Sequence, residues 1–132
     1  MQVLLINGSP NKEGCTYTAL SEVATALQSD GIDCEIMHIG RSPLAGCTAC
    51  GHCKKTGRCV YDDIVNRTID RLDSFDGFVF GAPVYFAGIA GSMKSFLDRL
   101  FYASSPDLTR YKPAGVVVSC RRGGSTASYD QL

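Results

Sequence analysis

The stretch that decides the fold is Val3-Leu4-Leu5-Ile6-Asn7-Gly8-Ser9-Pro10-Asn11-Lys12-Glu13-Gly14-Cys15-Thr16. Its first four residues form an unbroken run of branched apolar side chains, which suits a strand buried on both faces of a parallel sheet. The loop that follows carries glycine, serine and asparagine, and behind it Leu20, Val23, Ala24 and Leu27 recur at i, i+3, i+4, i+7. That spacing is one face of an amphipathic helix, and Asp30-Gly31 closes it with a turn signal.

The same alternation continues along the chain. Cys34–Ile39 reads as a second, weaker strand. A long loop rich in Gly, Cys and Lys follows, with its cysteine-rich part at about 44–60; such length demands a functional explanation. Asp62 or Asp63 can cap a short helix with Val65, Ile69 and Leu72 on one face. Gly77–Ala82 reads as a third strand, Met93, Phe96, Leu97 and Leu100 as a helical face, and Val116–Val118 as the core of a fourth strand. The order βαβαβαβ predicts one α/β domain over residues 1–132, a doubly wound parallel sheet with helices on both faces. Ligands of such sheets bind at the carboxyl ends of the strands, at the topological switch point. Three loops fall there: 7–16, 82–89 and 119–125. The pattern runs out after the fourth strand, so a last strand and helix are expected to be missing from this sheet.

Composition narrows the function. Thirteen basic residues balance thirteen acidic ones, so no electrostatic footprint for nucleic acid or an anionic membrane is present. The uncharged stretch 77–93 is broken by Pro83 and four glycines, and it is shorter than the roughly 20 apolar residues of a membrane span. The N-terminus has no basic region ahead of its short apolar run, which argues against a signal peptide. Seven cysteines is an odd number, and four crowd into Cys47–Cys59. A reducing cytoplasm is therefore expected, where clustered thiols bind metal or do redox chemistry.

Each of the three loops has two readings. A strand-to-helix turn with small hydroxyl residues can hold a phosphate on backbone N–H groups and the helix dipole; it can also be an ordinary turn capped by Thr16. It lacks the Lys-Ser/Thr pair of a Walker A loop and the Gly-x-Gly-x-x-Gly of a dinucleotide fingerprint. Tyr85 and Phe86 can flank a flat ring or simply cap the core. Arg121 and Arg122 beside Gly123 and Gly124 can add donors on the same edge or form a solvated turn.

Gly8-Ser9-Pro10 with Gly14-x-Thr16, then Ala82-Pro83-Val84-Tyr85 with Gly91-x-Met93-Lys94-x-Phe96-Leu97-Asp98-Arg99, resemble the NADPH-dependent FMN reductase group of flavodoxin-like proteins. The resemblance covers nearly the whole chain. It implies a flavodoxin-like fold, FMN as cofactor and NAD(P)H as cosubstrate. It also implies that Ser9, Asn11, the Cys15 backbone and Thr16 hold the FMN phosphate. Pro83, Val84, Tyr85, Phe86 and Gly88, with Arg121, Arg122, Gly123 and Gly124, would lie along the isoalloxazine ring.

Cys47-x2-Cys50-x2-Cys53-x5-Cys59 is the second constellation. Compact runs of this kind favour a [4Fe–4S] cluster, whereas structural zinc more often uses two separated Cys-x2-Cys knuckles. The spacing is similar to that of iron–sulfur flavoproteins, a branch of the same family. Gly46–Cys53, Gly57-Arg58-Cys59 and Asp62-Asp63 also look like relatives without a cluster, whose cysteines pack over the flavin or form reversible disulfides. Cluster, unligated thiol lid and zinc therefore stay open, with the loop expected near the flavin. Lys54, Lys55 and Arg58 are the cations expected to favour thiolates there, while Cys15, Cys34 and Cys120 read as small core or loop residues.

The resemblance implies an FMN-dependent NAD(P)H oxidoreductase of the flavin or quinone reductase type. The alternative is a non-enzymatic electron-transfer flavoprotein carrying FMN and a [4Fe–4S] cluster; a thiol-based redox sensor is a third reading. Carriers are often strongly acidic, and this chain is neutral, which favours the enzyme. Expected partners are a small-molecule electron acceptor or a redox protein. A homodimer or higher homo-oligomer is also expected, because an uncovered fourth strand would leave backbone groups unpaired.

Overall fold

Val3, Leu4, Leu5 and Ile6 are all buried, and alternate residues serve two different cores. The computed structural model, which describes Met1–Leu132, places them in strand β1 (Gln2–Asn7). Strands β2 (Asp33–His38) and β3 (Gly77–Tyr85) flank it, both parallel, with Ile6 opposite Met37 on one side and Phe80 on the other. A two-residue strand, β4 (Gly88–Ile89), runs back antiparallel against the end of β3. Strand β5 (Ala114–Ser119) pairs in parallel with β3 from Phe78–Ala114 to Pro83–Ser119. The parallel order is thus β2-β1-β3-β5, and the chain reverses its direction of winding between β1 and β3. This is the flavodoxin-like α/β architecture.

Side-chain alternation explains the layers. Val3, Leu5 and Val79 face helix α1 (Cys15–Ser29), whose Leu20 and Ala24 complete that core. Leu4, Ile6, Phe78 and Phe80 face the opposite way, onto α3 (Ile64–Ile69) and α4 (Gly91–Ala103). Met93, Phe96, Leu97 and Leu100 of α4 are buried there, as their spacing predicts, together with Val65, Ile69 and Leu72. Asp63 is the cap of α3, its Oδ1 accepting from the Val65 N–H at 3.0 Å. Two short helices complete the chain: α2 (His52–Thr56), within the cysteine segment, and α5 (Ser125–Tyr129), packed on β4 and β5. No helix is long and apolar enough to cross a membrane.

Three details differ from the sequence reading. The third strand does not stop at Ala82 but runs through Pro83 to Tyr85. Proline usually ends a central strand because it cannot donate to the ladder, yet β1 pairs with β3 only as far as Gly81. Beyond β1 the neighbour of Pro83 is Ala90, which donates to the Pro83 carbonyl at 3.1 Å while its own carbonyl accepts from Met93 and Lys94 of α4, so no free acceptor waits for the missing N–H. Residues 82–89 are therefore a β-hairpin, not a loop. A helix does follow the fourth parallel strand, although it has only five residues.

Arg71, beyond α3, reaches β2 and donates twice to Glu35, at 2.8 and 2.5 Å. These hydrogen bonds hold the Glu35 carboxyl below its usual range, against an opposing push from burial. The linkage sign follows: a lowered folded pKa stabilises above the unfolded value of about 4.3, and the gain is lost as pH falls through the folded value. Both side chains are part-exposed, so the pair is worth at most about 1 kcal/mol. Glu35→Gln is expected to lose that amount at pH 7, with the gap from wild type closing in urea titrations at progressively lower pH. An equal loss at every pH would contradict this account.

Candidate functional site

The turn after β1 is built before any ligand arrives. The buried Asn7 side chain accepts from the Ser9 N–H at 3.0 Å and donates to the Lys12 carbonyl at 3.1 Å. Ser9 Oγ accepts from the Asn11 N–H at 3.1 Å. From the end of β2, His38 Nε2 lies 2.7 Å from the Ser9 carbonyl, an acceptor, so this nitrogen carries the proton. Arg41 donates to the Pro10 carbonyl at 2.7 Å and to Asn11 Oδ1 at 3.0 Å. Behind this braced loop, α1 begins with Gly14 at its N-cap and no side-chain cap. The first intrahelical acceptor, the Gly14 carbonyl, serves Thr18. The amides of Cys15, Thr16 and Tyr17 therefore have no partner within the helix, and the helix dipole adds positive potential beside them.

Thr16 is not the cap that the sequence suggested. It is buried in the first turn, and its hydroxyl lies 2.7 Å from Ser119 Oγ at the end of β5. One hydrogen bond thus joins the first βα loop to the last strand.

The other wall is the β3–β4 hairpin. Phe86 (φ 53°) and Ala87 (φ 65°) form its two-residue turn with both backbones in the left-handed region. Such turns prefer Asn-Gly, and an L side chain there costs roughly 1–2 kcal/mol per residue. The turn is held from outside. Gly124 lies directly beneath Ala87, and Gln131 Oε1 accepts from the Ile89 N–H at 3.2 Å. Phe86 is fully exposed and Tyr85 half exposed, so neither caps the core.

Between the walls lies a cleft of about 370 Å³. It brings together Ser9, Asn11, Cys15, Thr16, Pro83, Val84, Tyr85 and Arg121. An adjoining hollow of about 280 Å³, sharing Val84 and Arg121, is lined by Phe86, Arg122 and Gly123 as well. Gly88 and Gly124 line neither. Gly88 faces the Gln131 side chain, and Gly124 supports the hairpin from below. Gly14, Ala87, Ser119 and Cys120 belong to the lining as well; they lie in the three strand-end loops but are not among the residues the resemblance assigns to FMN. Ser119 was within reach of the strand-end rule, since it is the last residue of β5.

Cys47, Cys50, Cys53 and Cys59 all line a second pocket, against α4, together with Tyr61, Arg99 and Tyr102. It shares no lining residue with the cleft. As they stand, no three His, Cys, Asp or Glu side chains are gathered closely enough to grip a metal ion. Asn66, buried, clamps the Cys59 backbone by accepting from its N–H at 2.8 Å and donating to its carbonyl at 3.0 Å. Cys53 Sγ lies 3.6 Å from the Tyr102 carbonyl.

The cation that meets a sulfur here is none of the three expected from sequence. Arg58 pairs with Asp70 and Asp62, and Lys54 and Lys55 are exposed. It is Arg99 of α4, 1% exposed, whose Nε donates to Cys59 Sγ at 3.1 Å while its two Nη atoms bind Asp63 at 2.7 and 2.9 Å. Burial opposes the charge on Arg99, but its hydrogen bonds to Asp63 and Cys59 outweigh it and hold the guanidinium above its usual range. Among the remaining thiols, Cys34 packs against the α1 core and is pushed up by burial and by Asp33. Cys15 and Cys120 are exposed along the cleft.

A parallel sheet with a braced, bare helix N-terminus at its switch point is a cofactor-binding arrangement. The family model for NADPH-dependent FMN reductase matches residues 1–132, and the chain belongs to that family of flavoproteins. It is 31% identical to an iron–sulfur flavoprotein of Methanocaldococcus jannaschii over the whole chain and 69% of that protein. A second iron–sulfur flavoprotein, from Archaeoglobus fulgidus, is 30% identical over 89% of the chain and 54% of the relative. Among solved structures, the NAD(P)H:quinone oxidoreductase of Methanothermobacter marburgensis shares the fold, with a TM-score of 0.71 at 18% identity. That likeness covers 93% of this chain and 65% of the other. The chain thus spans between about half and 69% of the length of these curated relatives.

Proposed function

We propose that this chain is the flavin-binding part of an FMN-dependent NAD(P)H oxidoreductase, with the FMN phosphate in the Ser9–Thr16 loop. One observation carries the reading. A single cleft joins a nest of unpaired helix amides and small hydroxyls to a hairpin bearing exposed aromatics. The residues fit the group: Asn7, His38 and Arg41 pre-set the loop, and the α1 dipole favours a dianion. Pro83, Val84 and Tyr85 supply an apolar wall for a flat ring, and Arg121 and Arg122 supply donors along its edge. The chemistry that bound flavin supplies is hydride acceptance from NAD(P)H and electron delivery to an acceptor. The chain's own residues bind, orient and shield. A small-molecule acceptor, a homo-oligomer and a cytoplasmic location complete the proposal.

Thr16→Val removes a buried hydroxyl from this nest and its hydrogen bond to Ser119. FMN binding is expected to weaken by about 1–2 kcal/mol, roughly tenfold, as for a hydrogen bond to a charged group. Fluorescence titration of the apoprotein measures it, with Ser9→Ala beside it. Unchanged affinity in both variants would remove the phosphate from this loop. Steady-state NAD(P)H oxidation with an artificial acceptor tests the activity itself.

The four thiols on one pocket support a second reading, an electron carrier with FMN and a [4Fe–4S] cluster. The donor set fits, because four cysteines are what such a cluster takes, and relatives bear the name iron–sulfur flavoprotein. Cys47, Cys50, Cys53 and Cys59 would hold it. Anaerobic reconstitution giving about four irons per chain, with FMN bound but no NAD(P)H oxidation, would favour the carrier over the enzyme.

A further inference from the structure

The Arg99 guanidinium has five N–H donors, and each has one partner. Nε–H donates to Cys59 Sγ at 3.1 Å. Nη1 serves Asp63 Oδ2 at 2.7 Å and the Ala45 carbonyl at 3.3 Å. Nη2 serves Asp63 Oδ1 at 2.9 Å and the Tyr61 carbonyl at 3.1 Å. Ala45 lies two residues before Cys47, and Tyr61 two residues after Cys59. One buried side chain therefore holds both ends of the cysteine segment, and the Tyr61 ring covers it, with its centre 5.1 Å from the guanidinium carbon. Pairing with Asp63 alone would satisfy the charge. It does not require the fifth donor to end on sulfur.

We propose that Arg99 is a positioning residue for a cysteine-bound iron–sulfur cluster, and that its Nε–H···Sγ bond to Cys59 sets the cluster's reduction potential. The inference rests on the cluster-bearing reading above. A thiolate ligated to iron keeps lone pairs that accept an N–H. Donation draws electron density from the sulfur and favours the reduced, more negative cluster; hydrogen bonds to sulfur are among the factors that set these potentials. Arg99 also closes the segment's two ends against α4, which keeps the four thiols on one pocket.

The test uses the whole chain, loaded anaerobically with iron and sulfide, with iron content measured first and reduction potential second. Arg99→Lys keeps a cation opposite Asp63 but loses the planar N–H aimed at Cys59. The expected result is wild-type iron content with reduction at a lower potential. Asp63→Asn keeps the Nε–H···Sγ bond and the cap of α3 but removes a nearby negative charge, so its potential should move upward. Arg99→Lys with wild-type iron and unchanged potential would overturn the proposal. Should that variant fail to fold, pulsed electron paramagnetic resonance of reduced wild-type protein with ¹⁵N-labelled arginine decides. Coupling of one arginine nitrogen to the cluster supports the bond, and its absence overturns it. Wild-type protein that takes up no iron fails the cluster reading itself and this inference with it, an outcome separated from the others by the first measurement.

Discussion

Asp63→Ala is expected to remove about 3–5 kcal/mol of folding stability, the range for breaking a buried ion pair from one side. The Arg99 guanidinium left behind is buried and would keep only carbonyl and sulfur acceptors for its charge. The same carboxylate caps α3 through Val65, and loss of a cap adds about 1 kcal/mol. Water reaches the Asp63 side chain, which is 30% exposed, so the lower end of the range is expected. Against a total of about 5–15 kcal/mol for a domain, that is still a large share. Urea unfolding measures it. Asp63→Asn, which keeps the cap and an acceptor for Arg99, should lose clearly less, and a loss below about 1 kcal/mol in Asp63→Ala would contradict the ion-pair account.

Gly124→Ala should strike the fold and the cleft together. Gly124 has φ +88°, where an L side chain costs roughly 1–2 kcal/mol. A Cβ there would stand 2.7 Å from Ala87 Cα and 3.0 Å from Val84 Cγ1. Backbone cannot step aside as a flexible side chain can, so the hairpin must shift, at a further cost of about 1–3 kcal/mol. Ala87 and Val84 both line the hollow beside the cleft, and FMN affinity is expected to fall by more than the roughly tenfold of Thr16→Val. Gly88→Ala is the control, because a Cβ there meets only the end of the Gln131 side chain, at 3.4 Å. Comparable losses of affinity in the two glycine variants would refute the supporting role of Gly124.

What the sequence makes legible follows from local physics. The run Val3–Ile6 and the spacing of Leu20, Ala24, Met93, Phe96 and Leu100 state which side chains are buried, and the burial agrees. The cleft is legible for the same reason, since a parallel sheet offers ligands only its carboxyl edge. Contacts between distant parts of the chain are not written in any window. Phe86-Ala87 carries no turn signal because its turn is held by Gly124 and Gln131 rather than by its own preference. Thr16 looks like a cap because its partner, Ser119, is 103 residues away. Arg99 sits in an ordinary amphipathic helix, and nothing near it announces that Asp63 and Cys59 will bury it. Lys54, Lys55 and Arg58 were favoured by adjacency in sequence, which here is not adjacency to sulfur.

The hydroxyl pair of Thr16 and Ser119 has a consequence for the order in which the protein matures. The floor of the cleft belongs to a loop that leaves the ribosome early, and part of its rim to a strand synthesised about a hundred residues later. Until β5 has emerged and paired with β3, the loop is present but Ser119, Cys120 and Arg121 are not beside it. A nascent chain can therefore fold its α1 side early and yet hold no cofactor in this cleft. Occupancy becomes a mark that β5 has paired with β3, and a ligand bound across this seam stabilises the whole fold by mass action rather than one loop of it.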